Sequence, residues 1–112
     1  MAKALLKPQW FQILLAVADS DRHGLWIMKE VLKQTDGKMK LWPATLYGSI
    51  KKMCAEGLLE ARDGPELTGF ENDNRRFYGI TPKGRRRLAA EANRLAGYVE
   101  LARRKAVFEN LQ

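Results

Sequence analysis

A chain of 112 residues is one domain by length, large enough to bury one modest core but not two. Its 46% hydrophobic and 29% charged residues are those of a globular protein, and no apolar run approaches the roughly 18 to 20 residues of a bilayer span. The first residues hold no apolar stretch of signal-peptide length, so a cytoplasmic location is expected. The net charge of +7 favours a polyanionic partner, because neutralised phosphates release condensed counterions.

Pro8 suits the first position of a helix that runs to Ala18 and carries Trp10, Phe11, Ile13, Leu14, Leu15 and Val17. It is apolar nearly all round and must be covered on two sides; in so short a chain the second cover is expected from another subunit. The polar run from Asp19 to Arg22 ends it. His23, the one histidine, stands beside Gly24 and reads as a turn into the next helix, with no paired nucleophile or second ligand to make it catalytic.

Gly24 to Gln34 reads as a second helix, with Ile27, Met28, Val31 and Leu32 at helical spacing and Gly37 as terminator. Lys38 to Leu41 alternates and predicts a very short strand. Trp42-Pro43 opens a third helix that ends at Gly57, again with proline in its first turn. Leu46, Ile50, Met53 and Cys54 fall in its apolar arc, whereas Thr45, Gly48, Ser49 and Lys52 are expected on the outer face. Cys54 is then a small buried hydrophobe, and as the one cysteine it rules out both an intramolecular disulfide and a multi-thiolate zinc site.

Leu58 to Arg62 reads as a strand and Arg75 to Ile80 as its return, joined by a polar loop that includes Asp63, Glu66, Glu71 and Asp73. Thr81 caps the last helix and Pro82 starts it. With no breaker before Leu111 it would span roughly 45 Å. Leu88, Ala92, Leu95, Val99, Ala102 and Ala106 are spaced four, three, four, three, four, a heptad seam with small residues for close approach. The run Lys83, Arg85, Arg86, Arg87 reads as solubilising cover that opposes the helix dipole at small cost.

Helix, helix, short strand, helix and hairpin is the order of a winged helix-turn-helix, a mainly α (α+β) fold whose third helix enters the major groove while the hairpin lies along the backbone or minor groove. Residues 1–81 would form the DNA-binding part and residues 82–112 a C-terminal dimerisation helix within one structural domain. Thr45, Tyr47 and Ser49 offer hydroxyls to base edges or phosphates, Lys51 and Lys52 offer ammonium groups, and Gly48 lets the backbone come close. Arg75 and Arg76 are expected to supply the wing with charge, the alternative being a pair of strand-edge guards against aggregation.

The blocks Trp10-Phe11-Gln12-Ile13-Leu14-Leu15-Ala16, His23-Gly24-Leu25-Trp26-Ile27-Met28-Lys29-Glu30-Val31, Pro43-Ala44-Thr45-Leu46-Tyr47-Gly48, Glu56-Gly57-Leu58-Leu59 and Arg75-Arg76-Phe77-Tyr78-Gly79-Ile80-Thr81 resemble those of PadR-type regulators. The resemblance covers about Pro8 to Arg104. It implies a homodimeric repressor whose last helix packs on the partner's first and last helices, with Thr45 and Tyr47 at recognition-helix positions and Arg75 and Arg76 in the wing. It also allows an aromatic or cationic small-molecule effector at the dimer interface, where Trp10, Tyr98 and Phe108 could supply rings. Two departures stand out: Leu25-Trp26 where many members have an aromatic and then a small residue, and Trp42 where many have a capping serine.

The expectation is therefore a homodimeric regulator of double-stranded DNA with a near-palindromic operator, held by Trp10, Leu14 and the last-helix seam. It has no paired nucleophile and base, no metal cluster and no phosphate loop, so neither enzymatic activity nor a cofactor is expected. The alternative is a winged-helix module that binds protein, against which stand the basic residues of the third helix and wing.

Overall fold

A computed structural model describes residues 5–62 and 76–109. Its elements are α1 (Pro8–Ala16), β1 (Arg22–His23), α2 (Gly24–Gln34), α3 (Pro43–Ala55), β2 (Leu59–Arg62), β3 (Phe77–Ile80) and α4 (Pro82–Arg104). Proline stands in the first turn of α1, α3 and α4, where its fixed φ suits the helix and its missing N–H is no loss. Two helices gain side-chain caps. His23 Nδ1 accepts from the Trp26 N–H at 3.1 Å, and Thr81 Oγ1 accepts from the Gly84 N–H at 2.9 Å while donating to the Gly57 carbonyl at 2.5 Å.

The C-terminus of α3 closes through Gly57 at φ 76, with Gly57 N–H donating to the Cys54 carbonyl and Leu58 N–H to that of Met53. The same paired closure follows α4, where Ala106 takes φ 59, Val107 N–H reaches the Ala102 carbonyl and the helix stops at Arg104. The expected run to Leu111 is thus cut to 23 residues, about 35 Å. α1 is likewise shorter than expected, since Val17 and Ala18 donate to Leu14 and Leu15, a tightened last turn that leaves Ala18 outside the helix.

The sheet is three-stranded and antiparallel in the order β1-β3-β2, with Arg22 opposite Tyr78, and Ala61 opposite Tyr78 on the other side. The strand expected over Lys38 to Leu41 is absent. Leu41 is buried and Met39 packs on the core, so the alternation records a segment with one wet face. A strand also needs a pairing edge, and that edge of β3 is filled by β1, from residues the sequence marked only as a turn.

The core gathers Ile13 and Leu14 of α1, Ile27 and Val31 of α2, Leu46, Ile50 and Met53 of α3, Leu58 and Leu59 at the start of the hairpin, and Leu88 of α4. Each such side chain, fully buried, contributes about 1.5 to 3 kcal/mol. α1 lies against both α2 and α4 of its own chain, which corrects the expected subunit contacts: Leu14 is 0% exposed, and Trp10 and Leu88 are also buried within the single chain. Two sides of this apolar helix are covered without a partner, while Leu15 stays 43% exposed and Phe11 half-buried. Gly84 brings α4 so near the hairpin that a Cβ there would lie 2.1 Å from the Leu58 carbonyl oxygen.

The basic start of α4 does more than solubilise. Lys83 Nζ donates to the Glu56 carbonyl at 2.9 Å and the Arg85 guanidinium to that of Ala18 at 2.5 Å, so both cations serve carbonyls that follow a helix end. Beyond this anchorage α4 projects outward. The radius of gyration is 16.2 Å, against about 13 Å for a compact chain of this length. Among the described residues no helix is long and apolar enough to cross a membrane.

Candidate nucleic-acid interface

α3 presents Ala44, Thr45, Gly48, Lys51 and Lys52 to solvent and turns Leu46, Ile50 and Met53 inward. Two residues expected on the outer face lie elsewhere. Ser49 is only 8% exposed, because three residues after Leu46 and four before Met53 it shares their arc at 3.6 residues per turn. Tyr47 is half-buried with its hydroxyl inside, seated so closely on Gly24 that a Cβ there would lie 2.3 Å from it. Its ring sets α3 against the first turn of α2, which Gly24 permits.

Beside the exposed arc lies a cleft of about 290 Å³ between the start of α1 and α3, lined by Lys7, Gln9, Trp10, Ala44, Thr45, Gly48, Ser49 and Lys52. Two ammonium groups and no carboxylate line it. Gly48 has open space where a Cβ would stand, so packing within the chain does not require glycine there. A mid-helix glycine costs roughly 0.5 to 1 kcal/mol relative to alanine, and here it leaves the surface low enough for another molecule's backbone to approach. Sequence reasoning missed Lys7 and Gln9. They precede or open α1, about 40 residues from α3, and carried no local signal.

Arg76 is exposed at the entrance of β3. Arg75 and the acidic loop residues Asp63, Glu66, Glu71 and Asp73 lie outside the described residues. At the base of the hairpin Arg62 bonds Asp21 at 2.7 Å and Glu60 at 2.5 Å, fixing the segment before α2 to the sheet. The pairs are substantially exposed and serve placement more than stability. Cys54 is half-buried, and desolvation pushes its thiol pKa up against the opposing charge of Arg76, with Glu60 adding a smaller rise. The thiol therefore stays protonated and unreactive at neutral pH.

The seam residues of α4 divide sharply. Leu88 is in the core, whereas Leu95 at 38% and Val99 at 45% are exposed, as are Ala92, Tyr98 and Leu101. Ala102 is half-buried, and Ala106 falls beyond the helix in its closing turn, which ends the heptad seam one position early. Between the two groups sits Glu91, a buried carboxylate paired with Arg94. That hydrogen bond holds its pKa below the ordinary value although burial opposes it, with Arg87 and the Leu6 backbone assisting. Arg94 also lies 5.4 Å from the Tyr98 ring, and Arg103 lies 5.7 Å from that of the exposed Phe108.

Residues 13–90 match the model of the transcriptional regulator PadR-like family. Among solved structures, a PadR family transcription regulator from Clostridium difficile R20291 superposes with a TM-score of 0.70 at 17% identity, over 89% of this chain and 99% of that one. A transcriptional regulator from Clostridium thermocellum gives 0.65 at 22% identity, over 93% and 90% of the two chains. BpsR from Bordetella bronchiseptica, whose DNA binding is regulated by 6-hydroxynicotinic acid, gives 0.63 at 18% identity, over 100% and 72%. At these identities the likeness is one of fold. No protein of curated function matches the chain.

Proposed function

This chain belongs to the PadR-like family of transcriptional regulators, and we propose that within it the protein acts by binding alone, as a homodimeric repressor of a near-palindromic operator. The observation that carries the reading is the face of α3, on which Thr45, Gly48, Lys51 and Lys52 are exposed together with no acidic residue anywhere on the helix. Lys51 and Lys52 meet phosphates and Thr45 meets a base edge or phosphate, while Gly48 admits the DNA backbone. Arg75 and Arg76 carry the wing contact. Tyr47 acts from behind, by setting the angle of the helix, and Ser49 lines the wall of the cleft.

Reading and pairing divide at Thr81, with residues 1–81 on DNA and residues 82–112 on the partner. The seam is Ala92, Leu95, Val99 and Ala102, with Tyr98 and Leu101 beside it. An aromatic effector would lodge there against Tyr98 and Phe108, the exposed rings of this region.

The test is binding to duplex DNA selected by the wild-type protein from a random pool. Lys51→Ala/Lys52→Ala should weaken binding to every sequence and lower the slope of log affinity against log salt by about two. Wild-type affinity of this variant at several salt concentrations would remove α3 as the DNA-reading face and leave a protein-binding module in its place.

A further inference from the structure

Trp42 is 63% exposed and occupies the N-cap of α3. Within the chain this is a poor choice twice over. An indole is left in water, and the helix start goes without a side-chain hydrogen bond where serine or aspartate would supply one. Lys40 places its Nζ 4.4 Å from the centre of the ring, a cation–π contact that occupies one face of the indole. The residues that follow, Pro43, Ala44 and Thr45, are all exposed and lead directly onto the α3 face.

Charge decides what this ring is for. Residues 37–55 contain Lys38, Lys40, Lys51 and Lys52 and not one aspartate or glutamate. An exposed aromatic in so uniformly basic a segment suits a partner that is both polyanionic and edged with apolar surface, which is what a DNA duplex presents along its groove wall. We infer that Trp42 and Lys40 form a second DNA contact at the leading end of α3. The indole lies on deoxyribose and thymine methyl groups, and the ammonium on its other face reaches a neighbouring phosphate. The inference rests on the reading of α3 as the DNA-binding face and extends it to residues outside the helix.

The two contributions have different signatures. Trp42→Ala removes an exposed ring that makes no cap, so Tm should not move. Its affinity for the selected duplex should fall about tenfold at every salt concentration with the salt slope unchanged. Trp42→Phe should recover most of that loss, and Lys40→Gln should lower the slope by about one. Adding duplex should change the tryptophan emission, and most of this change should be lost in Trp42→Phe, because Trp42 is the most exposed of the three indoles, Trp10 being buried in the cleft wall and Trp26 packed on the core. Wild-type affinity in Trp42→Ala, alongside lost affinity in Lys51→Ala/Lys52→Ala, overturns this inference and leaves the α3 reading intact. A wild-type protein that binds no duplex overturns both.

Discussion

The two halves of α4 carry apolar side chains at the same helical spacing and treat them differently. Gly84, Leu88 and Glu91 are buried against the hairpin and α1, whereas Leu95 and Val99, two and three turns beyond Leu88, stand in solvent. The first half completes a core that one chain can close by itself. The second half has the pattern of a core and no cover, and on our reading a second copy supplies it. Helical spacing identifies which face is to be buried but not which molecule buries it.

The comparison can be broken most forcibly from the closed side. Leu46 is 0% exposed, and Leu46→Ala should cost about 3 to 5 kcal/mol by thermal or denaturant unfolding, equally at all protein concentrations. Leu95→Glu should cost association roughly 3 kcal/mol, read as a dimer constant, while the far-UV circular dichroism of the winged helix survives. Fold and dimer should therefore fail separately, since the core that holds Ile13 and Leu14 of α1 closes within one chain. Loss of all helical signal in Leu95→Glu would show that the core does need the partner.

Two glycines in α4 sharpen the contrast further. A Cβ at Gly84 would meet the Leu58 carbonyl oxygen, and Gly84→Ala should lose about 1 to 3 kcal/mol. A Cβ at Gly97 meets nothing within 4 Å, and Gly97→Ala should gain up to about 1 kcal/mol from helix propensity. The smallest effect lies at the boundary. The Arg94 hydrogen bond lowers the pKa of Glu91, so its contribution is present above glutamate's ordinary 4.5 and is surrendered as pH falls through the lowered value. The Tm difference between wild type and Glu91→Gln should be open at neutral pH and close in acid.

What the sequence made legible was what local chemistry decides. α2 runs over Gly24–Gln34 as its spacing predicts, and Thr81-Pro82 caps and opens α4 as expected. The hairpin strands follow from their β-formers and the polar stretch between them. β1 was hidden because two residues have no periodicity, and their pairing with Phe77 and Tyr78 spans more than 50 residues. Trp10, Leu14 and Leu88 were legible as buried and misassigned to a subunit contact, since a pattern carries no record of chain identity. Ser49 was misplaced by weighing its polarity above its position, and Lys7 and Gln9 reach the α3 cleft through the tertiary fold alone.

The central claim is that a second copy of the chain covers the outer half of α4, and sedimentation equilibrium of the wild-type protein at micromolar concentration tests it most directly. The account predicts a mass of twice the 12.8 kDa of one chain, reduced to a single chain by Leu95→Glu. A wild-type protein that sediments as one chain throughout that range, with or without DNA, would contradict it.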